Sequence, residues 1–179
     1  NYWSLTSLIN FFNHHDAKIY RVERINTHGG SIRVYIKKGK KIKIESSVKI
    51  LIQEEEKFGI KQYKTYKNFA KKVYQIRENV RKNILKLKKN NKKIVGYGSP
   101  AKATTALNFF GISDEINFIV EDNKLKHGKF LPGMKIPIFS KQKIKEKVDY
   151  IIVLAWNFFD EIEKNNSDLG HKFISIKDL

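Results

Sequence analysis

Apolar residues recur along this chain with two different periods, and the change of period divides it. Leu5, Leu8, Ile9, Phe11 and Phe12 follow Ser4 at the spacing of one helical face, which predicts a helix over residues 4–15 with Ser4 as its cap. Residues 17–25 and 31–38 read as two strands. Between them lies Asn26-Thr27-His28-Gly29-Gly30, a run of turn formers. A lysine-rich connector covers 39–45. A short helix is expected over 46–58, ended by Gly59. A longer one follows over 66–89, with Tyr66, Phe69, Ala70, Val73, Val80, Ile84 and Leu87 at helical spacing and Lys and Arg on the other face.

Beyond residue 92 strands and helices alternate. Short apolar runs at 93–97, 116–120, 150–155 and 172–176 read as strands. Helices are expected at 101–110, capped by Gly111, and at 141–147 and 158–165. A loop carries Gly128, Pro132 and Gly133. Such alternation implies a parallel sheet with right-handed crossovers. The predicted class is α/β, a three-layer Rossmann-like parallel sheet preceded by a helix and a strand hairpin. Ligands in such sheets sit at the carboxyl ends of the strands. Those ends carry Gly96-Tyr97-Gly98-Ser99, Glu121-Asp122-Asn123 and Trp156-Asn157.

Composition narrows the picture. The formal charge is +18, which first suggests a nucleic acid or another anionic surface. Lysine supplies nearly all of it, scattered over every segment, and the arginines are only Arg21, Arg24, Arg33, Arg77 and Arg81. Base reading favours arginine, so a solvated basic surface is preferred over a nucleic-acid site. The chain has no cysteine, which excludes disulfides, thiolate catalysis and cysteine-ligated zinc within it. No apolar run approaches the roughly 20 residues of a membrane span. The opening Asn1-Tyr2-Trp3 lacks an initiator Met and is not a signal peptide. It is expected to be cut from something longer.

The strongest local motif is Gly96-Tyr97-Gly98-Ser99-Pro100-Ala101-Lys102. A strand runs into Gly-x-Gly and a helix starts near Pro100, whose missing N–H is tolerated in a first turn. Free N–H groups and the helix dipole there favour an anion such as phosphate, and Lys102 adds charge. The third glycine of the dinucleotide fingerprint is missing, however, with Ala101 and Ala103 in its region. A tight turn without a ligand is the competing reading. Asp122, or Glu121, stands where an acid holds a ribose hydroxyl in dinucleotide folds, and Trp156 stands where an indole can stack on a base or sugar. His14-His15-Asp16 reads as a helix terminus, because adjacent helical residues point apart. His28, in its glycine turn, is the better functional candidate.

Four stretches together resemble the C-terminal domain of bacterial sugar C-methyltransferases. They are NYWSLTSL with INTHGGSIRVYIKK, GYGSPAKATTALNFFGI, VEDNKLKHGKFLPGMKIPIF and DYIIVLAWNFFDEI. The resemblance covers nearly the whole chain. It implies a three-part, cytoplasmic parent: a cysteine-rich zinc domain, a domain binding S-adenosylmethionine and a second α/β domain. By the same resemblance, residues 1–38 are the tail of the S-adenosylmethionine domain and 43–179 the C-terminal domain. The implied reaction deprotonates a carbon beside a keto group of a nucleotide-linked deoxysugar and methylates it. The zinc cysteines, the glycine-rich donor loop and the acid–base residues of that family are not among these residues. The chain is therefore expected to be inactive alone, to bind S-adenosylmethionine weakly or not at all, and to contribute to nucleotide-sugar binding. Gly96, Gly98, Ser99 and Lys102 would face the cleft, with Asn108, Asp122, Trp156 and Asn157 nearby. His28, Gly29, Gly30 and Arg33 would line the side toward the S-adenosylmethionine domain. The alternative is a free-standing nucleotide- or NAD-binding module.

Overall fold

The computed structural model describes every residue except Asn1, His28, Lys40, Glu146, Lys147, Gly170, His171 and Lys177. The chain divides into two compact units, residues 1–71 and 72–179.

The first unit holds α1 (Leu5–Asn13), the antiparallel pair β1 (Ala17–Ile25) and β2 (Ser31–Lys38), and α2 (Ser46–Phe58). Ser4 caps α1 through its side chain, which accepts from the Ser7 N–H at 3.1 Å. One face of each element is apolar. Leu5, Ile19, Val22, Val48 and Leu51 form one buried cluster drawn from α1, β1 and α2. Glu55, on α2, also reaches the start of α1. Its two carboxylate oxygens accept from the N–H groups of Leu5 at 2.7 Å and Thr6 at 2.8 Å, and from the Thr6 hydroxyl. Two orphan N–H groups of a helix start are thus satisfied from fifty residues away.

α3 (Tyr63–Lys89) carries the chain from the first unit into the second. The second unit is built on a five-stranded parallel sheet in the order β5-β4-β3-β6-β7, with β3 Ile94–Tyr97, β4 Ile119–Val120, β5 Ile138–Phe139, β6 Tyr150–Val153 and β7 Phe173–Ser175. Its side chains alternate between faces. Ile94, Ile119, Ile152 and Leu154 join Val80 and Ile84 of α3 and Ala103 and Leu107 of α4 (Ala101–Phe110). Val95, Tyr97, Val120, Ile151 and Val153 join Ile144, Val148 and Phe173, with Phe159 and Ile162 of α5 (Phe159–Asn165) packed against them. Covering on both faces explains why these strands read as unbroken apolar runs. The α/β architecture read from the sequence is the one observed.

The differences are local. α3 starts three residues earlier than its apolar stripe. The helix expected at 141–147 is a 3-10 turn, Lys141–Lys145, and a second such turn, Trp156–Phe158, precedes α5. β5 has no counterpart among the strands expected from the sequence. It pairs with β4 on one side, and on the other Ile138 exchanges bonds with the loop before it. The Gly128 N–H donates to the Ile138 carbonyl at 3.0 Å, and the Ile138 N–H donates to Lys129 O at 2.9 Å. Among the described residues no helix is long and apolar enough to cross a membrane.

Candidate functional site

In the second unit the strand order reverses beside β3, whose successor β4 lies on one side and whose later partner β6 lies on the other. A reversal opens a crevice at the carboxyl ends of the two central strands. Gly96 to Lys102 leaves β3 there, and Leu154 to Asn157 leaves β6. Gly96 is fixed by packing, since a Cβ would stand 2.4 Å from Ile119 Cδ1 and 2.8 Å from Leu154 Cδ1. Gly98 is fixed by its backbone. Its φ is +86°, and the position where a Cβ would stand is 3.0 Å from Ala155 Cβ. Pro100 is the N-cap of α4, and no side chain caps that helix. Lys102, in the first turn, lays its ammonium over the Trp156 ring, 4.5 Å from the centroid. The two residues singled out on separate motifs therefore meet across the crevice.

The acids at the end of β4 are engaged. One oxygen of Glu121 accepts from the Ser99 N–H at 2.9 Å and from the Ser99 hydroxyl. The other accepts from the Asn123 N–H at 3.1 Å. Lys126 closes the network, donating to Ser99 O at 3.0 Å and to Glu121 at 3.3 Å. His127 Nε2 meets the Glu121 carbonyl at 2.7 Å. Burial alone would push the Glu121 carboxyl up, but the donors from Ser99 and Asn123 and the Lys126 charge outweigh it and hold it at about 2. Next to it, Tyr97 donates to Asp122 at 2.9 Å and stands 3.4 Å from Asn166 Oδ1. Burial, then the hydrogen bond to Asp122, pushes the Tyr97 phenol up to about 12.

This network changes the chemistry available at the turn. The Ser99 N–H and hydroxyl are directed at Glu121 and so are not offered to an anion at this turn. The Glu121 carboxylate, at the position that takes a ribose hydroxyl in dinucleotide folds, is filled by internal donors. These residues do not fit the adenosine half of NAD or of S-adenosylmethionine. Asp122 is exposed and bonded to Tyr97. Asn157 is exposed in its 3-10 turn. Asn108 lies six residues beyond Lys102, about 9 Å along α4, where it bonds Thr104 O at 2.8 Å and stands beside Pro132 and Gly133. It is not part of the turn. Glu121 and Tyr97 were legible only as a strand-end acid and the variable residue of Gly-x-Gly. Lys126 had no signal beyond its place in a basic loop.

The remaining candidates belong to the first unit. Gly29 and Gly30 have φ of +87° and +116° and line a groove with Trp3, Arg24 and Phe58. Arg33 lies opposite Glu23 on the hairpin, 3.8 Å from its carboxylate, which also accepts from Tyr35 OH at 2.9 Å. The Tyr35 and Arg21 hydrogen bonds hold the Glu23 carboxyl below its usual range. Strand alternation turns this cluster away from Arg24 and Ile32. His28 lies outside the described residues. No group of three or more His, Asp or Glu that could hold a metal occurs among the described residues.

Residues 26–176 match the family described as the C-methyltransferase C-terminal domain. The chain belongs to that family. A relative, C-methyltransferase NovU of Streptomyces niveus, is 33% identical over 180 residues, which cover 97% of this chain and 43% of the relative. The chain thus spans less than half the length of the methyltransferase it resembles. The matched region reaches from the first unit's hairpin turn to just past β7 and includes the turn from Gly96 to Lys102 and Glu121.

Proposed function

We propose that this chain is part of an S-adenosylmethionine-dependent C-methyltransferase acting on a nucleotide-linked keto-deoxysugar, and that its share of the work is to hold the substrate. The family match carries this reading. Two features support a binding role. The crevice beside β3 presents Lys102 on the Trp156 indole, a charged and aromatic platform at the ligand end of the sheet. The acid at the end of β4 is closed off by Ser99, Asn123 and Lys126, so the methyl donor is assigned to another part of the parent. Residues 1–38 are then the tail of the donor domain and 43–179 the C-terminal domain, with a zinc domain and the donor domain as partners in the same cytoplasmic polypeptide. By itself the chain does not transfer methyl.

The second reading, a free-standing NAD module, is disfavoured by the same latch and by Ala101 and Ala103 where a third glycine is expected. Calorimetric titration with a nucleotide sugar, NAD and S-adenosylmethionine separates the two. Binding of the nucleotide sugar alone is expected, and binding of NAD without the nucleotide sugar overturns the proposal. Duplex DNA is expected to bind only weakly, without sequence preference and with steep salt dependence.

A further inference from the structure

The apolar face of α3 runs past the sheet that uses part of it. Val80 and Ile84 are buried in one cluster with Ile94 and Ile152, and Leu87 packs against them. Toward the helix start the same face continues through Ile76, Val73, Phe69 and Tyr66, and there it is open. Phe69 is 66% exposed, Ile76 54% and Tyr66 52%, with Val73 partly buried between them. The Tyr66 hydroxyl donates to Ile60 O at 2.6 Å, which fixes its ring. Every residue of this stripe belongs to one uninterrupted helix. A contiguous row of large apolar side chains left open marks a contact surface.

The spacing indicates what covers it. Tyr66, Phe69, Val73, Ile76 and Val80 follow one another at intervals of 3, 4, 3 and 4 residues, the a and d positions of a heptad. At about 100° per residue they stay within roughly 80° of the helix circumference. Lys64, Lys67 and Lys71 stand on the opposite side, exposed. A stripe this narrow is a seam for another helix, whereas a lipid surface takes a broader apolar sector. The seam is also self-complementary, because from Tyr66 to Ile76 the intervals read 3, 4, 3 in either direction. Two copies laid antiparallel set Tyr66 against Ile76 and Phe69 against Val73, so each layer joins an aromatic ring to a β-branched chain. A parallel pair stacks like on like and sets Lys72 beside Arg77 along both flanks. In the antiparallel pair the flanking positions meet as Ala70 with Ala70, Tyr63 with Arg77 and Thr65 with Asn79. Lys72 against Lys72 is the one like-charge contact among them.

We propose that this stripe is the interface of a symmetric, antiparallel dimer, its occupant a second copy of the chain. Tyr63, 80% exposed, adds to the flank. With about 200 Å2 for a whole aromatic side chain, seam and flank offer roughly 500 Å2 on each copy, about 1,000 Å2 in all, the size of a weak and reversible contact. The Lys72 pair and the net charge of +18 on each chain oppose it. The dimer therefore forms at high concentration and is strengthened by salt, the reverse of what an acidic partner on the same helix would show. The inference is independent of the substrate-holding reading.

Sedimentation equilibrium of the chain from about 10 to 500 µM reads the pairing. The mass is expected to rise toward twice that of the chain and no further, because a two-fold contact closes on itself. Raising NaCl from about 0.05 to 0.5 M is expected to strengthen pairing roughly threefold or more. Phe69→Gln and Ile76→Gln, both at exposed positions, are each expected to weaken it at least about tenfold with unchanged circular dichroism. Lys72→Gln is expected to strengthen it about threefold at low salt, and Lys64→Gln, the same loss of charge on the far face, to change it less. The chain has no cysteine, so single introduced ones report the orientation. A short bismaleimide is expected to link Ala70→Cys chains and to leave Tyr66→Cys chains unlinked; linking at Tyr66→Cys instead overturns the antiparallel pair. A single-chain mass at every concentration in both salts, pairing that survives both glutamine variants, or pairing that salt weakens overturns the proposal. Binding to phosphatidylglycerol vesicles by a chain that stays monomeric, lost in Phe69→Gln, assigns the stripe to a lipid surface and overturns it too. So does a parent polypeptide that stays monomeric while the chain pairs, because its own preceding residues then cover the stripe.

Discussion

Replacing Glu121 by Gln tests whether the turn after β3 is held by a charged latch. The Glu121 carboxyl lies at about 2, against an ordinary 4.5. Each pKa unit is about 1.4 kcal/mol, so the full shift is an upper bound of roughly 3 kcal/mol. The side chain is 13% exposed but Lys126 is 38% exposed, and solvent screening reduces the expected effect to about 1–2 kcal/mol. The amide keeps one acceptor oxygen for Ser99 but turns an NH2 toward the Asn123 N–H, opposing two donors. The sign follows from the direction of the shift. A depressed folded pKa gives stability that is fully present above the unfolded value near 4.5 and fades as pH falls toward 2. Urea unfolding in a Trp3→Phe background, followed by Trp156 emission, reads the second unit. Comparing chains with and without Glu121→Gln from pH 7 to pH 2 cancels the common effect of the high net charge. The expected result is a difference of about 1–2 kcal/mol at pH 7 that narrows below about pH 4.5. Equal stability at pH 7, or a difference that stays constant down to pH 2, refutes the latch.

Other substitutions probe separate links. Gly96→Ala drives a methyl to 2.4 Å from Ile119 Cδ1 in a fully buried layer, and should lower stability by about 1–3 kcal/mol in denaturant melts; an unchanged midpoint contradicts the packing argument. Glu55→Ala removes the acceptor at the start of α1 and should destabilise the first unit by about 1–2 kcal/mol, with faster amide exchange at Leu5 and Thr6 as the local readout. In an ultraviolet absorbance titration, one of the eight tyrosines should ionise late, near 12, and Tyr97→Phe should abolish that late step. Because the folded phenol pKa is raised, the stability linked to it is present below pH 10 and is lost as pH rises toward 12.

The sequence carried the larger elements because burial on one face leaves a period, as in α1, β1 and α3, and burial on both faces leaves an unbroken apolar run, as in β3 and β6. β5 left neither, because two residues in Lys-Ile-Pro-Ile-Phe have no period, and the strand exists through its bonds to β4. The Lys102–Trp156 contact was half legible: each motif falls at the ligand end of the sheet, and only the β3–β6 register brings them together. The Glu121 latch was not legible. An acid after a strand looks the same whether it faces a ribose or the turn beside it, and the deciding partners, Ser99 and Lys126, are specified by tertiary placement. The same holds for Glu55, whose service to α1 spans fifty residues and leaves no local trace.

The loop that folds back on β5 bears on how this sheet meets other chains. Sheet edges with free N–H and C=O groups are templates for strand addition and for fibrillar growth. At β5 the outward-facing groups of Ile138 are already taken by Gly128 and Lys129, and Phe130 bridges Pro137. A peptide seeking to extend the sheet finds that margin sealed. Among the described residues the opposite margin, β7, has three strand residues. On the β5 margin, side chains and not a backbone ladder are left for any contact with another chain.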